Sequence, residues 1–191
     1  MNISFDNHLL TKVCVLVVGS VFAASCNTDP GTEHRYFEEL TNQEEVVIVL
    51  SSYGLDSLPP DVGLLKNARE LTISYDSVKL GQWVVLPPLN ALYEMVDRPP
   101  FHILPAEITQ LPRLNKLSII GLNLRQLPKD FDKLKQLEYL DLSMNKLTVT
   151  NELNKLSGLP LLKKLVVFGN RIDTAILKNW NNQHPDLEII Y

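Results

Sequence analysis

Side chains able to do chemistry are sparse in this chain of 191 residues. The two cysteines are Cys14 and Cys26, too few for a disulfide-dense scaffold or a cysteine-rich zinc module. His34, His102 and His184 lie far apart, and no H-E-x-x-H pair or G-x-S-x-G elbow occurs. The eight glycines are scattered, so no phosphate-cradling loop is encoded. Asp130 and Asp132 read as solvated surface. No enzyme, cofactor or metal site is expected. A net charge of -4, from 18 basic and 22 acidic residues, argues against nucleic acid as the partner. Cys26 and a set of regularly spaced tyrosines and lysines remain. Both take their meaning from the segments that carry them.

Cys26 closes an amino-terminal segment of ordered composition. Residues 1–12 are polar and end in Lys12, residues 13–24 are apolar, and the small residues Ala23, Ala24 and Ser25 precede the cysteine. This is the order of a secretory signal. Twelve helical residues cover about 18 Å, short of a hydrocarbon core of about 30 Å. Ala23, Ala24, Ser25 and Cys26 together resemble the lipobox of bacterial lipoproteins, with Ala23 where that motif usually has Leu. The resemblance implies a signal peptide over 1–25 and lipid on Cys26. It also implies a protein held to a membrane of the bacterial cell envelope, periplasmic or surface-exposed. An ordinary secretory signal and a folded amino-terminal segment are the other readings. Residues 26–44 then form a polar tether, with Tyr36, Phe37 and Leu40 at the spacing of a short capping helix.

The rest of the chain repeats. The segment from Leu137 places Leu137, Leu140, Leu142, Asn145 and Leu147 in the spacing L-x-x-L-x-L-x-x-N-x-L. Steps of 23 residues backwards reach Leu114, Leu117, Ile119 and Leu124, then Ala91, Val96 and Phe101. Two further steps reach Ala68, Leu71 and Ile73, then Ile48, Leu50 and Leu55. A 25-residue step forwards gives Leu162, Leu165, Val167, Asn170 and Ile172, before a partial copy with Leu187 and Ile189. Leucine-proline pairs at 58 and 59, 104 and 105, and 127 and 128 hold one further register.

This pattern resembles the leucine-rich repeat family over residues 45–191. The resemblance implies a curved α/β repeat solenoid of about six repeats and a partial terminal strand. A parallel concave sheet would be backed by short helical or irregular convex segments. Single units cannot bury their leucines, but stacked units make one core. The family's asparagine position is filled here only by Asn145 and Asn170.

The concave sheet of such a solenoid would display two columns. One reads Val47, Glu70, Tyr93, Lys116, Tyr139, Lys164; the other reads Val49, Thr72, Met95, Ser118, Asp141, Val166. Tyrosine supplies contact area with few rotors, and the neighbouring lysines suit an acidic ligand. Tyr93, Met95, Lys116, Ser118, Tyr139, Asp141, Lys164 and Val166 are therefore the candidate binding residues, for an unidentified protein or peptide. Self-association through the last strand, residues 187–191, and glycan capture at the tyrosines are the alternatives. Residues 91–113 fit least well, with Glu94 at an inward position and Pro99 and Pro100 in the turn, so a bent or shortened strand is expected there. Asp173 is a predicted helix N-cap, with Ile176, Leu177 and Trp180 facing inward.

Overall fold

A computed structural model describes residues 35–76, 78–80, 83–85 and 103–191, all within one compact unit. The signal and lipidation assignments at 1–34, Cys26 included, and the binding assignments to Tyr93 and Met95 lie outside the described residues.

The strands are β1 (Glu45–Val49), β2 (Glu70–Ser74), β3 (Val78–Leu80), β4 (Trp83–Val85), β5 (Lys116–Ile120), β6 (Tyr139–Asp141), β7 (Lys164–Val166) and β8 (Glu188–Ile190). Six of them form one sheet in the order β1-β2-β5-β6-β7-β8, every neighbour parallel. β3 and β4 form a separate antiparallel pair. The chain folds as a curved α/β repeat solenoid.

Alternation makes each strand two-sided. Val46 and Ile48, Leu71 and Ile73, Leu117 and Ile119, Leu140 and Leu142, and Leu165 and Val167 all point inward and are at most 2% exposed. After the strand, a leucine-proline step sets the return. Pro59 and Pro105 are extended, as the ring and its effect on the preceding residue require, and single 3-10 turns follow at Pro60–Leu64 and Ala106–Gln110. These turns bury Val62 and Ile108, with Leu65 and Leu111 behind them. The last returns are α-helical: α1 (Val149–Ser157) buries Leu153 and Leu156, and α2 (Thr174–Asn181) buries Leu177 and Trp180.

The turn that follows β5 leaves backbone groups facing the core, and Asn145 of the next coil satisfies them. Its Oδ1 accepts from the backbone N–H of Leu122 and of Leu124, both at 3.1 Å. Its Nδ2 donates to the carbonyls of Ile119 (2.7 Å) and Leu142 (2.9 Å). Asn170 repeats the device one coil later, accepting from Leu147 N–H and donating to Leu142 and Val167. Gly121, Met144 and Gly169 take positive φ in the same turns. At Gly169 an added Cβ would lie 2.8 Å from Met144 Sδ, so the backbone angle and the packing both favour glycine.

α1 adds a second polar clasp. Glu152 is 5% exposed, and its Oε2 accepts from Leu127 N–H and from Lys155 Nζ. Lys155 Nζ also donates to the Leu127 carbonyl, at 2.8 Å. One ion pair thus occupies both backbone groups of Leu127, where the helical return no longer offers a parallel chain. The ends are closed by aromatic residues. Phe37 is fully buried and meets Tyr53 edge-on at 5.1 Å. Trp180 donates through Nε1 to Ser157 Oγ at 2.8 Å, and Asp173 caps α2 by accepting from Ala175 and Ile176 N–H.

Three expectations are corrected. The bent or shortened strand expected in the unit 91–113 does not lie between β2 and β5, because those two pair directly along their whole length. The coil instead joins strand β2 to the return at 104–111. That return lies against the preceding one: Lys66 Nζ reaches the Gln110 carbonyl, and a Cβ on Gly63 would meet that of Glu107. Paired positions 70 and 116 are 46 residues apart, so the chain between β2 and β5 carries one extra 23-residue period, an insertion that leaves the frame intact across it. The first repeat is also two residues out of frame. Glu45 pairs with Glu70 and Val47 with Thr72, since Val46 and Ile48 are the residues that fit inward. Finally, Ile176 is 49% exposed; only Leu177 and Trp180 of that set reach the core.

Leu142→Ala, a core truncation, should cost about 2–5 kcal/mol in urea denaturation. Asn145→Ala orphans several buried backbone groups at about 1–3 kcal/mol each, so its loss should equal or exceed that of the leucine. Gly169→Ala should cost about 1–2 kcal/mol from its backbone angle alone. Exposed Lys129→Ala should stay within about 0.5 kcal/mol of wild type. Equal small effects at all four positions would refute the assigned register.

Candidate functional site: the outer face of the strands

The outward residues of the sheet form rows fixed by strand register. One row runs Glu45, Glu70, Lys116, Tyr139, Lys164, Glu188. The next runs Val47, Thr72, Ser118, Asp141, Val166, Ile190. Lys116, Tyr139 and Lys164 thus stand on consecutive strands, about 4.8 Å apart along the ladder. Ser118, Asp141 and Val166 stand beside them, although Ser118 is buried at 6% exposure. Lys116 has Glu70, not Tyr93, on its other side, so the expected run of alternating tyrosine and lysine is broken there.

The two lysines are already engaged. Lys116 Nζ lies 2.8 Å from Glu70 Oε2 and 5.7 Å from the centre of the Tyr139 ring. Lys164 Nζ lies 3.0 Å from Glu188 Oε1. The row therefore reads acid, base, aromatic, base, acid around Tyr139. Across both described rows Glu45, Glu70, Asp141 and Glu188 oppose Lys116 and Lys164, a net of 2 - 4 = -2. The expected positive surface for an acidic ligand is not present on these rows. Glu70 lies in the predicted column, but Glu188 entered the row only through the pairing of β8 with β7.

Titration follows from these contacts. The hydrogen bond to Glu70 holds the Lys116 ammonium above its ordinary pKa, against partial desolvation. Burial pushes the Tyr139 phenol above its ordinary value of 10.0, and the charge of Asp141 adds to this. The lysines on either side act in the opposite sense but do not reverse it. Asp141 also accepts from Ser143 N–H at 2.8 Å, so its carboxylate is held against the strand end.

Exposed apolar groups lie towards both edges of the sheet. Val47 is 56% exposed at one edge, and Phe168 (55%) and Ile190 (40%) are exposed at the other. Among the described residues no group of three or more His, Cys, Asp or Glu could hold a metal. Among them too, no helix is long and apolar enough to cross a membrane.

No protein-family model and no curated protein sequence matches this chain. Solved structures to which it is similar include the following three. A leucine-rich repeat protein of Leptospira interrogans is 26% identical over 72% of this chain and 34% of its own, with a TM-score of 0.45. A plant ice-binding protein is 27% identical over 60% of this chain and 30% of its own, with a TM-score of 0.39. The leucine-rich repeat ectodomain of a receptor kinase from Arabidopsis thaliana is 24% identical over 70% of this chain and 61% of its own, with a TM-score of 0.41. The chain spans about a third of the length of the first two and less than two thirds of the third.

Because the Tyr139 pKa is raised in the fold, the unfolded state releases that proton first as pH rises. The stability it contributes should be fully present below pH 10.0 and lost on rising through the folded value. Asp141→Asn should move the Tyr139 titration, followed by the NMR shift of its ring carbon, back towards 10.0. An unchanged titration would leave burial as the whole cause.

Proposed function

We propose that this protein is a non-enzymatic binding module whose outer strand face takes a protein or peptide partner at a bacterial envelope. One observation carries the reading. The solenoid commits one side of every strand to the core and holds Tyr139, Lys116 and Lys164 on the other side, in fixed register and largely outside the core. Such an array is rigid before any partner arrives, so little conformational entropy is lost on binding. Tyr139 is the natural anchor, because a partly buried ring offers area and a polar tip at the centre of a charge-balanced row. The lysine–glutamate pairs around it act mainly in orientation and in rejecting mismatched partners.

Lipid attachment at Cys26 belongs to the same reading. A single acyl chain binds membrane only marginally, whereas the several chains of the lipobox modification would hold the module firmly. Cys26→Ala should then abolish incorporation of labelled fatty acid in a bacterial host. Persistent labelling would refute the anchor without touching the binding face.

The binding role is tested by affinity capture from the envelope of the source cell, followed by titration of the captured partner. Tyr139→Ala should weaken binding at least tenfold while leaving the fold intact, since the ring is not core. Paired Lys129→Glu and Lys133→Glu changes on the return side serve as the control. Equal weakening by the return-side pair would place the interface elsewhere.

A further inference from the structure

A second polar feature lies where the chain enters the strands. A recess of about 340 Å³ opens there, lined by Arg69, Pro112, Arg113, Asn115, Gln136 and Glu138. Its chemistry differs from that of the row around Tyr139. Arg69 pairs with Glu44, its Nε lying 3.2 Å from Oε2. Arg113 makes one long contact, 3.4 Å from Nη1 to Asn67 Oδ1, and no ion pair with any described residue. The side-chain amides of Asn115 and Gln136 add further N–H donors to the lining. The one carboxylate in the lining, Glu138, is taken by Lys163 Nζ at 2.6 Å. The recess therefore holds two guanidiniums and two amides; Glu44 is paired with Arg69, the lining carboxylate is taken by Lys163, and the Arg113 guanidinium is left with its charge uncompensated.

From this surplus we infer that the recess is an oxyanion subsite, and that it takes a carboxylate of the protein partner. This rests on the binding role proposed above. A guanidinium presents parallel N–H donors that match a carboxylate in bidentate fashion. Residues 69 and 115 stand side by side in the ladder, because Asn115 N–H bonds to the Arg69 carbonyl. Asn67 and Arg113 are joined by their side chains across the same step. The donors thus converge from neighbouring coils that a rigid ladder keeps in place. The predicted acidic-ligand preference returns here at a different position, since the lysines first assigned to it are spent on Glu70 and Glu188.

The test uses the full chain labelled with nitrogen-15 and follows the Nε–H signals of its arginines by NMR. The probe is a blocked tetrapeptide of two glutamates between glycines, with its glutamine counterpart and inorganic phosphate as parallel titrants at constant ionic strength. The glutamate peptide should shift Arg69 and Arg113, and the side-chain amides of Asn115 and Gln136, with saturation. Arg125 and Arg171 should move far less. Arg113→Gln should raise the apparent Kd at least fivefold, and Arg113→Lys, which keeps charge but loses the fork, should recover only part of it. Equal shifts at all four arginines, or a full response to the glutamine peptide, would overturn the subsite. A response to phosphate without one to the glutamate peptide would overturn the carboxylate assignment. With the captured partner, paired Arg69→Gln and Arg113→Gln changes should weaken binding and flatten its salt dependence. Unchanged partner binding, with Tyr139→Ala still disruptive, would reject the subsite and leave the strand face standing. Loss of neither interaction would reject the strand face itself.

Discussion

The arrangement depends on keeping neighbouring coils in register where the strands end and the chain turns. At that point the backbone of one coil has no partner in its own turn, and the next coil supplies an amide side chain instead. Asn145 bridges Ile119, Leu122 and Leu124 of the preceding coil to Leu142 of its own. It is 1% exposed, so water cannot replace those bonds. A buried backbone group left unpaired is more costly than a typical hydrogen bond is favourable. The asparagine therefore acts as a register lock as well as a contributor to stability.

Hydrophobic stacking supplies the bulk of the cohesion, and its geometry explains the tolerance of the middle. Each coil brings two inward strand residues and an inward pair from the return. Neither set requires that the strand and the return come from one repeat of the sequence. Strand residues Leu71 and Ile73 belong to one period, whereas Ile108 and Leu111 belong to the next; all are at most 2% exposed. A long segment between them is accommodated because loop-closure entropy grows only slowly with length. The parallel bridge between Ile103 and Gln126 shows the stack resuming as soon as the insertion ends.

Charge is distributed by the same ladder. Side chains in a row are close enough to pair, so the identity of the neighbouring strand decides whether a lysine is available to a ligand. Lys116 and Lys164 meet glutamates and are neutralised locally, whereas Arg113 meets an asparagine and is not. Surface pairs of this kind contribute little to stability, yet they determine which charges a partner encounters.

The periodic leucines were sufficient to determine the solenoid, its parallel sheet and the inward residues of β2, β5, β6 and β7, because burial on a repeating backbone imposes its period directly on the sequence. The asparagine locks and the helix cap at Asp173 were legible for a similar reason: each serves local backbone geometry at a fixed offset. Strand adjacency was not. Residues 91–113 keep the 23-residue frame, so periodicity alone placed Tyr93 beside Lys116, while hydrogen bonding between β2 and β5 placed Glu70 there. The two-residue shift in the first repeat was hidden likewise, since Val46, Val47, Ile48 and Val49 are all apolar and only packing chooses which face inward. The charge pairing on the outer strand face and at the recess by Arg69 and Arg113 depends on neighbours 46 residues apart. Side chains at such separations meet only after the coils have stacked, and so tertiary structure alone decided them.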